Sequence, residues 1–199
     1  MLSTTESSNH TTSLGEEKQA SVLFADIADF TEMTEKTSSK HLVQILNRYF
    51  QIAGSIVKAN HGRIIDYYGD GFLAIFGLDG ESEHSSNLIK AGFDLQEAIN
   101  SFKKDVQAII HSDFKIRLGG NTGKVYWGTI GIEGMQKNAA IGDTVNFASR
   151  IEQANKKLKT NFLISESLYE QFDERCISLE KFNIKAKGKK GMHHVYALN

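Results

Sequence analysis

The stretch Arg63-Ile-Ile-Asp-Tyr-Tyr-Gly-Asp-Gly-Phe-Leu-Ala-Ile-Phe-Gly77 contains two short apolar runs joined by a turn sequence. Asp-Gly between two such runs is the strongest short-range signal of a β-hairpin. We therefore predict strands over Arg63–Tyr68 and Phe72–Gly77, with Gly69-Asp70-Gly71 at the tip of the hairpin. This hairpin is the starting point for predicting the fold. Predicted helices and strands alternate on both sides of it.

The patterns around the hairpin predict a mixed fold. Ala20–Ile27 is a continuous apolar run that suits a buried strand, and Ser38–Asn60 and Ser85–Ile110 have the three-to-four spacing of amphipathic helices. The later predicted elements are two strands within Phe114–Ile132 separated at glycines, a helix over Asp143–Lys157, a strand over Phe162–Ile164, a short helix, and a final strand pair ending at Tyr196. This order predicts an α+β fold with a ferredoxin-like, palm-like βαββαβ core, a mainly antiparallel sheet and added C-terminal strands.

Length and composition limit the class of protein. The chain has 199 residues, which suits one domain. Residues 1–18 are rich in Ser and Thr and predict a disordered tail, so the folded domain is expected over residues 19–199. The 23 basic and 24 acidic residues argue against a general nucleic-acid or membrane-surface binder. A single cysteine, Cys176, and the lack of a long apolar run predict a cytoplasmic protein with no membrane segment.

Two aspartates are the first candidates for chemistry. Asp26 ends the first predicted strand, and Asp70 lies at the hairpin tip on a neighbouring strand. Two carboxylates held close together repel each other unless a divalent cation lies between them. Such a pair suits Mg²⁺ or Mn²⁺ in a phosphoryl-transfer site. The alternative is an ordinary turn aspartate at Asp70 and a helix cap at Asp26.

Three further segments could bind a phosphorylated ligand. The short helix that opens at Ala28–Thr34 would present free backbone N–H groups. Asn146 and Arg150 are four residues apart, so an amide and a guanidinium project from one helical face. A lysine-rich segment, Lys185–Lys190, could reach a terminal phosphate. Each feature alone is also compatible with an ordinary solvated surface.

Taken together, these phrases resemble the class III nucleotidyl cyclases, the superfamily of adenylate and guanylate cyclase catalytic domains. The resemblance covers about Ser21 to Leu198. The matching phrases are Phe24-Ala-Asp-Ile-Ala-Asp-Phe-Thr31, Tyr68-Gly-Asp-Gly-Phe-Leu-Ala-Ile-Phe76, the glycines at 123, 128 and 131, Ile141-Gly-Asp-Thr-Val-Asn-Phe-Ala-Ser-Arg150, and Lys187-Gly-Lys followed by Val195-Tyr196.

The resemblance implies a role for each matching position. The chain would convert a nucleoside triphosphate to a 3′,5′-cyclic nucleotide and pyrophosphate, as a homodimer whose two active sites each take residues from both chains. Two Mg²⁺ or Mn²⁺ ions would occupy each site. The implied roles are metal binding by Asp26, Asp70 and the Ile27 carbonyl, phosphate binding by Phe30, Thr31 and Lys187, ribose orientation by Asn146, and transition-state stabilisation by Arg150.

The chain departs from the family at the two positions that select the base. Adenylate cyclases usually have Lys, and guanylate cyclases Glu, where this chain has Asp66. The second position, usually Asp or Thr for adenine and often Cys for guanine, is Ala139. An ionised Asp only accepts hydrogen bonds. It could therefore accept from guanine, cytosine or uracil, or it could simply face solvent.

A cyclase domain with neither purine pattern, and with no attached sensor, resembles the pyrimidine cyclases of the Pycsar antiphage systems. This resemblance implies cyclic UMP or cyclic CMP as the product and a separate downstream effector that responds to it. A guanylate cyclase, and then an unconventional adenylate cyclase, remain as alternatives. A non-catalytic module is the competing class of function, and its sign would be the loss of a metal aspartate, Asn146 or Arg150, all of which are present.

Overall fold

A computed structural model describes residues 15–110, 113–172, 179–185 and 191–198. The strands are β1 (Gly15–Ile27), β2 (Gly62–Tyr68), β3 (Gly71–Phe76), β4 (Ile116–Ile130), β5 (Lys137–Ile141), β6 (Phe162–Ser165), β7 (Leu179–Ile184) and β8 (His193–Leu198). The helices are α1 (Phe30–Lys36), α2 (Ser39–Ala59), α3 (His84–Ile110), α4 (Asp143–Leu158) and α5 (Glu166–Tyr169).

All of these strands belong to one sheet. Its order is β2-β3-β1-β4-β6-β8-β7, and β5 pairs with β4 outside this path. Every neighbouring pair is antiparallel except β4 and β6, which run parallel. The α+β fold, the hairpin and the mainly antiparallel sheet are therefore confirmed.

Helices pack on both faces of the sheet. In β1, side chains alternate between the two faces, as the pleat of a strand requires. Leu23, Ala25 and Ile27 join the core beneath α2 and α3. Ala20 and Val22 join a second cluster that includes residues of α4. Asp26 follows the same alternation, so it lies on the face of the sheet that α4 covers.

The region Phe114–Ile132 differs from the prediction. A single strand, β4, runs through Ile116–Ile130 instead of two strands separated at glycines. The glycines serve close packing here: a Cβ added at Gly119 would lie 2.2 Å from the backbone nitrogen of Glu152 in α4. Sequence reasoning also missed β5, which pairs with the second half of β4.

The chain ends differ from the prediction in one respect. Residues 15–18, which composition places in the tail, form the first part of β1 and pair with β4. Lys187 and Cys176 lie outside the described residues. Among the helices of the described ranges, none combines the length and apolar character needed to span a bilayer.

Candidate active site

The two aspartates predicted to bind metal meet at one end of β1. Asp26 is the last residue but one of β1, and the pairing of β1 with β3 runs from Ser21↔Phe76 to Ala25↔Phe72. Asp70 lies in the turn that directly precedes β3, so this register brings it beside Asp26. The charge of Asp70 acts on Asp26, as expected for neighbouring carboxylates.

The environment of this pair is unfavourable for two negative charges. Burial, followed by the charge of Asp70, raises the pKa of Asp26 to about 7. Burial also raises the pKa of Asp70. The backbone N–H of Ile27 donates a hydrogen bond towards both carboxylates, but Oδ2 of Asp70 is buried with no hydrogen-bond partner among the described residues. An unpartnered buried carboxylate oxygen in a like-charged pair fits a divalent cation.

A cavity of about 290 Å³ opens beside the pair. Five residues predicted for the metal and phosphate sites line this one cavity: Asp26, Ile27, Phe30, Thr31 and Asp70. Within the described part of the chain, no three acidic, histidine or cysteine side chains stand close enough together to hold one metal ion. The site therefore supplies a pair of carboxylates, and other ligands of a cation would have to be water, backbone or substrate oxygens.

Cationic side chains form another wall of this cavity. Arg117 of β4 lies opposite Asp26 in the β1–β4 register, and its guanidinium donates to Oδ1 of Asp29 at 3.0 Å. Nζ of Lys156, on α4, is 3.8 Å from the same oxygen. The hydrogen bond from Arg117 lowers the pKa of Asp29. The cavity thus places two cations beside a carboxylate pair, with Asp29 holding both cations.

Sequence reasoning did not identify Arg117 or Lys156. Their place in the site depends on the register of β1 with β4 and on how α4 packs over the sheet, and neither follows from a local pattern. The sequence did contain one indication of a functional role for Arg117. It is a charged residue between the apolar residues Ile116 and Leu118 of a strand. A charged side chain on the covered face of a sheet needs a partner there.

Asn146 and Arg150 do not line the carboxylate cavity. Both are on α4, where Asn146 is exposed and Arg150 is half-buried. Arg150 lines a separate cavity of about 370 Å³ together with Asn183 and Lys185. Glu152, which lines the carboxylate cavity, is two residues from Arg150, or about 200° around the α-helix. One chain therefore presents the carboxylates and the Asn146–Arg150 pair in different directions.

The predicted base-selecting residues lie near β5. Asp66 accepts a hydrogen bond from Nζ of Lys137 at 2.7 Å, and its other oxygen accepts the backbone N–H of Tyr67 at 3.1 Å. Ala139 pairs with Gly128 of β4 and is half-buried. Asp66 therefore forms an ion pair with Lys137 and does not contact only solvent. Sequence reasoning missed Lys137 because it missed β5.

A comparison with protein families identifies the chain. Residues 13–199 match the family described as the adenylate and guanylate cyclase catalytic domain. Adenylate cyclase 1 of Rhizobium meliloti (strain 1021) is 30% identical over 184 residues, which cover 90% of this chain and 27% of that protein. Human atrial natriuretic peptide receptor 2 is 28% identical over 181 residues, or 89% of this chain and 17% of the receptor. The chain thus spans about a quarter or less of the length of these relatives.

Solved structures agree with this match. The guanylyl cyclase Cya2 has a TM-score of 0.84 at 25% identity, covering 92% of this chain and 93% of that one. The guanylate cyclase domain of RhGC from Catenaria anguillulae, solved in complex with GTP, has a TM-score of 0.79 at 26% identity, covering 92% and 98%. Because the family match extends over nearly the whole chain, this protein belongs to the family of adenylate and guanylate cyclase catalytic domains, the class III nucleotidyl cyclases.

Proposed function

We propose that this chain is an active nucleotidyl cyclase that converts a nucleoside triphosphate to a 3′,5′-cyclic nucleotide and pyrophosphate. The observation that carries the proposal is the half-buried pair Asp26 and Asp70, which line one cavity on the fold of the cyclase family. In the reaction, the ribose 3′-oxygen forms a bond to the α-phosphorus and the bond from that phosphorus to the pyrophosphate oxygen breaks. The hydroxyl proton ends on solvent or on the released pyrophosphate.

Asp26 and Asp70 would hold Mg²⁺ or Mn²⁺, with the Ile27 carbonyl as a further ligand. Two ions per site, as the family resemblance implies, would neutralise the triphosphate and lower the pKa of the attacking hydroxyl. The support in this chain is the unpartnered Oδ2 of Asp70 and the raised pKa values of both carboxyls. Carboxylates that repel each other without a cation are stabilised most when a cation binds between them.

The triphosphate would bind along the cationic wall of the same cavity. Arg117 and Lys156 can donate charge-assisted hydrogen bonds to phosphate oxygens once they leave Asp29. Phe30 and Thr31 line the cavity at the start of α1, where their backbone groups would contact phosphates. The predicted contact from Lys187 falls outside the described residues and stays a prediction.

The remaining catalytic groups would come from a second copy of the chain. Asn146 would orient the ribose, and Arg150 would stabilise charge on the pentavalent phosphorus. Within one chain neither residue lines the carboxylate cavity, so a two-fold dimer would complete two equivalent sites. This arrangement accounts for intact catalytic residues that one chain alone does not bring together.

For the base, we propose a pyrimidine. Asp66 and Lys137 together present an acceptor beside a donor, which matches N3–H and O4 of uracil or N4–H₂ and N3 of cytosine. Ala139 offers no polar side-chain group for the second contact that the resemblance associates with purines. A cyclic UMP or cyclic CMP product would also fit the predicted antiphage role, in which a separate effector responds to the product.

A guanylate cyclase is the second candidate. The Asp66–Lys137 pair also matches N1–H and O6 of guanine, and a related cyclase domain of similar fold was solved with GTP. Adenine offers a donor and an acceptor as well, so this pair does not by itself exclude an adenylate cyclase.

Incubation with each of the four nucleoside triphosphates and Mn²⁺, followed by mass spectrometry of the products, tests both the cyclase activity and the choice of base. We expect cyclic UMP or cyclic CMP. Cyclic GMP or cyclic AMP as the only product would contradict the pyrimidine assignment, and no cyclic product from any of the four would contradict the cyclase activity. Lys137→Ala should reduce base discrimination, whereas the matched control Lys124→Ala, at an exposed ion pair with Glu17, should not.

A further inference from the structure

Glu152 places a third carboxylate on the metal cavity. It lies on α4 and is only 8% exposed, yet it lines the same cavity as Asp26 and Asp70. Gly119 makes this position possible, because any side chain there would collide with the backbone of Glu152 and push α4 away from the sheet. The close approach of α4 to β4 thus fixes the base of the Glu152 side chain.

Among the described residues, no partner of the Glu152 carboxylate explains the burial of this side chain. Its backbone carbonyl accepts a hydrogen bond from Asn155, but no hydrogen bond or ion pair to its carboxylate is found among the described residues. The nearby cation, Arg117, is bound to Asp29. Burial and then the charge of Asp26 raise the pKa of Glu152 to about 7. A buried, unpaired carboxylate is costly, and its usual compensation is a cation or a proton.

The cavity has an excess of negative charge. Asp26, Asp70, Glu152 and Asp29 contribute four carboxyl groups, and Arg117 and Lys156 contribute two cations. A divalent cation at Asp26 and Asp70 would offset this excess and would be attracted by Glu152 through the low-dielectric cavity. Glu152 would stabilise such an ion through its charge, even without coordinating it.

Direct coordination by all three carboxylates is not what the geometry supports. Among the residues that the structure describes, no three such side chains converge closely enough to hold a single ion. Mg²⁺ and similar ions keep several water ligands, and these waters donate hydrogen bonds to groups just outside the coordination shell. An acceptor facing the cavity from α4 suits that outer position.

We infer that Glu152 accepts a hydrogen bond from a water ligand of the divalent cation held by Asp26 and Asp70, and that it is a positioning residue that sets the affinity of this site. The inference rests on the proposed function, because it needs the metal site at Asp26 and Asp70. With this role, α4 would contribute to two active sites. Glu152 would act in the metal site of its own chain, and Arg150, on a different face of the helix, would act in the site of the second chain.

Binding of Mn²⁺, measured by electron paramagnetic resonance or calorimetry on the full chain, tests the inference without turnover. Glu152→Gln should weaken Mn²⁺ binding by about tenfold or more, as loss of outer-shell partners does in other metal sites. The matched control is Glu97→Gln, which removes the same charge from an exposed position on α3 and should leave the affinity unchanged. Equal affinity in wild type and Glu152→Gln would overturn the inference while leaving the metal site intact.

Thermal unfolding in EDTA separates this role from a structural one. Glu152→Gln should raise the melting temperature, because it removes repulsion between buried carboxylates. A lower melting temperature, or a variant that fails to fold, would mean that the carboxylate holds the structure together and would contradict the inference. If wild type binds no Mn²⁺, the proposed metal site itself fails, and this outcome is distinct from an unchanged affinity in the variant.

Discussion

The two faces of α4 show how this domain divides its chemistry. One face closes the cavity that contains Asp26 and Asp70, where half-buried carboxylates have raised pKa values and cationic side chains lie opposite. The other carries Asn146, which is exposed, and Arg150, which lines a different cavity. The carboxylate half of the site is therefore assembled within one chain, whereas the Asn146–Arg150 half is presented outward. This difference supports the proposal that one folded chain supplies the metal site and that association of two chains completes the active site.

The largest effect is expected from breaking the carboxylate half. Asp70→Asn should abolish cyclic-nucleotide formation and Mn²⁺ binding, because an amide cannot replace an ionised ligand in the pair. The fold should survive, since a neutral residue at position 70 avoids the cost of burying a charge there and removes the charge that raises the pKa of Asp26. Product analysis, Mn²⁺ titration and the melting temperature in EDTA check this, and retained turnover would contradict the metal assignment.

Breaking the outward half should give a different pattern. Arg150→Ala should lower kcat by about 10²- to 10³-fold, as loss of one transition-state donor does in other enzymes. Mn²⁺ affinity should stay at the wild-type value, because Arg150 does not line the carboxylate cavity. The control Arg48→Ala removes an arginine that pairs with Asp105 on the α2–α3 side of the fold and should retain kcat. A loss of Mn²⁺ affinity in Arg150→Ala would break the separation of the two halves.

The pH dependence of stability should distinguish the half-buried pair Asp26 and Asp70 from the rest of the molecule. Burial raises the pKa of Asp26 to about 7, so the folded state holds its proton where the unfolded state has lost it. Stability from this group is therefore present at low pH and is lost as pH rises towards 7. In EDTA, wild type should lose stability relative to Asp26→Asn between about pH 4 and pH 7, the range between the ordinary pKa of 3.8 and the raised value of about 7. Urea unfolding at several pH values measures the difference, and parallel curves for the two proteins would exclude the unfavourable charge pair.

The smallest effect is expected at the cationic wall. Asp29 holds Arg117 and Lys156 in the absence of nucleotide, so Asp29→Asn should free them and lower KM for the triphosphate by about two- to fivefold, since exposed ion pairs contribute up to ~1 kcal/mol. Asn also tolerates the left-handed conformation of this residue, whose φ is 56°. Asp105→Asn is the matched control, at an ion pair outside the cavity. An unchanged KM would show that Asp29 does not compete with the substrate.

The elements that local patterns encode were predictable. The Asp-Gly hairpin, the three long helices and the meeting of Asp26 with Asp70 follow from apolar spacing and from turn residues that act over a few positions. These features depend on sequence neighbours or on a single strand pairing. The local fold around the candidate metal site could therefore be predicted from the sequence.

The features that depend on distant pairing were not predictable. Arg117 lines the cavity because β4 pairs with β1, and Lys137 reaches Asp66 because β5 folds back along β4. The glycines of β4 look like strand breakers in the sequence, but Gly119 is needed where α4 presses against the strand. The position of Glu152 beside the cavity depends on this packing of α4 on β4. Register and helix packing are properties of the whole sheet, so no short window of sequence contains them.

Mixing two inactive variants tests most directly whether the active site is shared between chains. Asp70→Asn lacks the metal half and Arg150→Ala lacks the outward half, so each alone should be nearly inactive. In a two-fold dimer, half of the mixed population pairs one variant with the other, and each such dimer has one intact site of two. After co-refolding in equal amounts, activity should therefore return to about a quarter of wild type. A mixture as inactive as its components would contradict an active site built from two copies of this chain.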